Sequence, residues 1–166
     1  MTTPATPLEL TRNYQYKKFY NLKTLLDFMV NKSKSYYINL FYKEIEKRMD
    51  KLEIFKDSNC VGTVQYLVGE IEEDRYICPR TNKILKMKII DKPILGCVVE
   101  WYFLEDQIAH TGIVSKIKPL LINHRDGYSK PFYKNQIIFE ILEEQNHYKR
   151  RFRIPPKLEK LIKNLT

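Results

Sequence analysis

Five short β-prone runs crowd into about sixty residues after Pro93, and they constrain the fold more than any other feature of the chain. Ile94 to Phe103 is rich in Ile, Val and aromatic residues, which suit a pleated, half-buried backbone. Glu105 and Asp106 turn the chain. Gln107 to Ser115 and Ile117 to Ile122 follow, the first bent by Gly112 and the second interrupted by Pro119. Asn123 to Ser129 is a polar loop that contains Asp126-Gly127. Ile137 to Leu142 and Tyr148 to Ile154 read as a hairpin across Glu143 to His147. Short strands with a long loop between the third and fourth predict a five-stranded barrel of the OB type over residues 92–166. The tail after Pro155-Pro156 carries Leu158, Leu161, Ile162 and Leu165 at helical spacing.

The first 91 residues have a different pattern. Pro4 and Pro7 predict an extended arm over residues 1–13. Asn21 caps a helical pattern of Leu22, Leu25, Leu26 and Met29, and Asn31 to Ser35 breaks it. From Ser35 a second helix presents Ile38, Phe41, Ile45, Met49 and Leu52 as one apolar stripe. Val61 to Ile71, with Gly62 and Gly69, reads as a bulged strand. Ile84 to Ile90 alternates apolar and basic residues, the pattern of a half-buried strand. Pro93 holds Lys92 extended and marks a joint between an α+β domain over 1–91 and an all-β domain over 92–166. The expected fold class is therefore α+β.

Charge narrows the function classes. The 166 residues hold 29 Lys and Arg against 20 Asp and Glu, a formal net charge of +9. A surplus of this size points to a polyanionic partner or to a soluble basic surface. It is concentrated after His147, where seven basic residues face the single acid Glu159. Lys149, Arg151 and Arg153 alternate along one strand and so share a face, where they could track a phosphate backbone. Trp101 offers a flat ring of the kind on which bases stack. No apolar run is long enough to span a membrane, and the first residues lack a secretory pattern, so an intracellular setting is expected. The abundance of Lys, Asn, Ile and Tyr follows AT-rich codons.

Catalytic signals are sparse. No glycine loop for phosphate occurs, and Cys60, Cys78 and Cys97 form no C-x-x-C pair. His110, His124 and His147 fall on separate strands or loops, and no metal or cofactor is expected. Cys97 reads as a small buried hydrophobe.

One resemblance gathers these readings. Lys92-Pro93-Ile94-Leu95-Gly96-Cys97-Val98-Val99-Glu100 resembles the start of the S1-like barrel in the stalk subunit of DNA-directed RNA polymerases, the seventh-subunit type of polymerase II and the E type of archaea. Gly112 to Leu120 looks like that barrel's second and third strands, Cys60-Val61-Gly62 like the tip domain's Cys-and-Gly strand, and Ile77-Cys78-Pro79 like its Ile-x-Pro loop. The resemblance spans roughly residues 36–154 and implies a non-catalytic subunit. Its tip would dock on the core enzyme, near the largest subunit's clamp or a fourth-subunit-type partner, through Cys60, Gly62 and Pro79. Its barrel would meet nascent RNA through Lys149, Arg151 and Arg153, with Lys116, Lys118 and Trp101 as further candidates. Small divergent versions occur in large cytoplasmic DNA viruses, which would place the protein in host cytoplasm and virion, or otherwise in a nucleus. The alternative is a free-standing OB-type protein that binds single-stranded nucleic acid.

Overall fold

The structure, a computed structural model, describes residues 7–53, 56–79, 82–103, 107–137 and 148–164, with side chains from residue 23 onward. Helix α1 runs over Pro7–Met49 and α2 over Cys60–Leu67. A 3-10 turn, Lys83–Lys86, leads into β1, Lys88–Ile90. Then come β2 (Val98–Tyr102), β3 (Ile108–Lys116), β4 (Leu121–Arg125), β5 (Phe132–Gln136) and β6 (Lys149–Ile154), and α3 closes the described chain over Pro156–Lys163. The fold is α+β, as the sequence predicts. No helix of the described residues is long and apolar enough to cross a membrane.

Several local expectations are corrected. The arm over 1–13 gives way at Pro7, where α1 begins. Proline is tolerated at a first helical position, because its missing N–H has no intrahelical partner to lose. The predicted break at Asn31 to Ser35 is continuous helix. Asn and Ser each cost only a few tenths of a kcal/mol, up to about 0.7, in a helix interior. Val61 to Ile71 is not a strand. Its first part is α2, all eight residues of which are buried, and the Asn59 side chain accepts from the Gly62 N–H to cap it. Burial on every side favours apolar β-branched residues whatever the backbone, so composition misled here. Ile84 to Ile90 is shortened to β1 because the Asn82 side chain caps the 3-10 turn through the Leu85 N–H.

The sheet is six-stranded and antiparallel, ordered β1-β6-β2-β3-β4-β5. It is open, with β1 and β5 at its edges, so the closed OB barrel is corrected to an open sheet. The strand predicted over Ile137 to Leu142 lies almost wholly outside the described residues. The last strand, β6, pairs with β1 and β2 instead.

Phe41, Ile45 and Met49 of α1, Val61, Val64 and Leu67 of α2, and Leu158 of α3 pack with Val98, Ile113 and Ile154 from the sheet. Alternation along β2 and β3 sends Val99, Trp101 and Val114 to the other face, where they join Cys97 and Ile122. A boundary at residue 91 falls between two strands of one sheet, and the helix-side core draws on residues from both sides of it.

Candidate functional site

A buried polar cradle fixes α2 against β4. The Arg125 guanidinium is fully buried. It donates to Thr63 Oγ1 at 3.0 Å, to Asp74 Oδ2 at 2.9 Å, to the Lys130 carbonyl at 2.7 Å and to the Glu53 carbonyl at 3.1 Å. Thr63 Oγ1 donates in turn to Asp74 Oδ1 at 2.8 Å, and Ser58 Oγ bonds the same carboxylate oxygen. These bonds satisfy a charge pair that burial would otherwise penalise by several kcal/mol per ion. Their structural effect is to hold the first turn of α2 over the end of β4.

Cys60 opens that first turn. Val114 N–H reaches the Cys97 carbonyl on the β2 side at 2.9 Å. Two-residue alternation then turns Thr111 N–H toward β4. The β3–β4 ladder starts only at Ile113↔Asn123, so at Thr111 the strands have parted. The Cys60 thiol lies near the Thr111 amide on the helix side of the sheet. Burial pushes the thiol up to about 11; the amides of Thr111, Val61 and Cys60 pull it down, and the Asp126 charge adds a smaller upward push. A helix N-terminus favours a thiolate, but in this closed arrangement desolvation wins.

On the opposite face of the sheet, two histidines meet. His110 on β3 and His124 on β4 meet through Nε2 and Nδ1 at 3.0 Å, with ring centroids 5.0 Å apart at 82°. Gly112 permits this approach, since a Cβ there would stand 2.3 Å from Ile122 Cγ2 and 3.2 Å from His124 Cβ. Trp101 lies behind His110 at 5.9 Å and Tyr133 beside His124 at 5.5 Å. Burial, then the neighbouring His124, lowers His110 to about 3. Burial lowers His124 as well, against the Asp126 carboxylate, which raises it. Ligating atoms of His110, His124 and Asp126 all lie within 4.8 Å of one another. His124 Nε2 is buried and without a hydrogen-bond partner among the described residues.

The residues singled out by the sequence are placed differently. Arg151 and Arg153 do share a face, but on it they meet the buried carboxylate of Glu100. Arg153 is 5 % exposed and also donates to the Met87 carbonyl at 2.7 Å and the Leu85 carbonyl at 3.1 Å. Arg151 lies over the Tyr102 ring at 4.2 Å. Lys149, Lys116 and Lys118 are exposed. Trp101 is 0 % exposed, so its ring cannot stack on a base. Gly62 is buried where a Cβ would stand 1.6 Å from the Arg75 carbonyl oxygen, which makes it a packing residue. Pro79 is half-buried and its carbonyl accepts from the Asn82 side chain. Cys97 is buried as expected, and burial pushes its thiol up to about 12. His147 lies outside the described residues.

The sequence reading did not bring Asp126 together with His110 and His124. One signal was available: Asp126 follows His124 at a spacing of two, at the end of a β-prone run. Comparison of the chain with family models, with curated proteins and with solved structures returned no match.

Proposed function

We propose that the protein is a non-catalytic subunit of a multisubunit DNA-directed RNA polymerase, of the stalk type, that meets nucleic acid through exposed lysines. The supporting observation is the net charge of +9 together with the exposed Lys116, Lys118 and Lys149, which stand in solvent where a phosphate backbone can meet them.

The experiment is co-purification from the native source. The protein should come with large polymerase subunits at one-to-one stoichiometry, and recovery of the monomer alone would sink the reading. Lys116, Lys118 and Lys149 changed together to Ala should flatten the salt dependence of single-stranded RNA binding by about 2 units, at roughly 0.7 per phosphate contact.

A further inference from the structure

We propose that His110, His124 and Asp126 form a binding site for a transition-metal dication of the zinc type.

The geometry is nearly that of a metal site already. Two bonds of about 2.0–2.1 Å at the tetrahedral angle place two ligand nitrogens about 3.3 Å apart. The facing ring nitrogens of His110 and His124 are 3.0 Å apart, so an opening of about 0.3 Å seats an ion between them. A carboxylate oxygen of Asp126 is within 4.8 Å of both ligating atoms and supplies a third ligand from the solvent side, where Asp126 is exposed. The donor set of two imidazoles and one carboxylate suits zinc and its neighbours rather than magnesium or calcium, which take oxygen ligands. It also leaves a fourth position open. His124 Nε2, buried and unpartnered, shows that the present hydrogen bond does not satisfy this pair. A rotation that brings Nε2 to a metal would gain a partner without breaking another contact of that atom.

The proton count is simple. Between the two facing nitrogens there is one proton, and an ion must displace it. With the metal on His110 Nε2 and His124 Nδ1, each neutral ring carries its proton on its other nitrogen, so the displaced proton moves to the far nitrogen of the ring that held it and none is released to solvent.

The test uses the purified whole chain with zinc chloride in equilibrium dialysis. The expected result is one zinc per chain. Asp126→Asn, at an exposed position, should keep the fold and its Tm while weakening zinc binding at least tenfold. His124→Gln should weaken it further. Cobalt in place of zinc should give the visible bands of a four-coordinate nitrogen and oxygen site. Absence of stoichiometric zinc, or binding unchanged in both Asp126→Asn and His124→Gln, would overturn the site.

Discussion

His110 shows how much one buried ring can weigh on the stability of this protein. Burial and the neighbouring His124 lower it to about 3, against about 6.5 for a free imidazole. As pH falls below 6.5 the unfolded chain takes up the proton first, while the folded chain resists until near pH 3. Stability contributed by the neutral ring is thus full above 6.5 and is lost progressively between 6.5 and 3, at up to about 1.4 kcal/mol per unit. Urea midpoints measured across that window should fall with pH, and His110→Gln should flatten the slope. Cys60 works in the opposite sense. Its thiol is raised to about 11, so the unfolded chain loses its proton first as pH climbs past 9, and stability declines from there toward 11. Alkylation of Cys60 should still be accelerating at pH 10; a plateau near pH 7 would show a thiolate that this burial does not permit. Neither group would attract notice from its sequence neighbours. The titration of each is set by what tertiary packing places around it.

At the scale of elements, α2 is the one least legible in the sequence. Its apolar, β-branched composition matches a strand as well as a buried helix, and periodicity cannot separate the two over eight residues. The Arg75 carbonyl passes close over Gly62. Gly62→Ala should destabilise by about 1–3 kcal/mol through overpacking, read from denaturant unfolding. In α1, by contrast, the stripe of Phe41, Ile45 and Met49 was legible, since spacings of three and four have one structural solution. Ile45→Ala should cost about 2–5 kcal/mol in denaturant unfolding. On β6 the alternation was read correctly, and Arg151 and Arg153 do face the same way. What lay beyond reach was the partner, because Glu100 comes from β2, about fifty residues earlier in the chain. Arg153→Ala should cost less than the roughly 3–5 kcal/mol of a fully broken buried pair, because Arg151 still pairs Glu100, and the Arg151→Ala, Arg153→Ala double variant should reach it. Lys149→Ala, at an exposed position, should stay within about 0.5 kcal/mol.

Over the whole molecule, charge and core are arranged across the chain rather than along it. The basic concentration after His147 looked like a surface strip. In the fold, part of it neutralises a buried carboxylate and part remains in solvent. A fragment that begins at residue 92 would lose β1 together with Phe41, Ile45, Val61 and Leu67, and would expose Val98, Ile113, Ile154 and Leu158. It should fail to give dispersed amide resonances, whereas the full chain should. A well-folded fragment would restore the two-domain division. The sequence by itself determined the α+β class, the apolar stripe of α1, most of the β-prone segments and the total charge, because each depends on neighbours within a few residues. Only the tertiary structure decided that β6 pairs with β1 and β2 in an open sheet. It alone turned Arg151 and Arg153 inward to Glu100 and brought His110, His124 and Asp126 together. Those outcomes depend on contacts between residues many positions apart, selected by burial and by the need of every buried charge for a partner, and no local pattern records them.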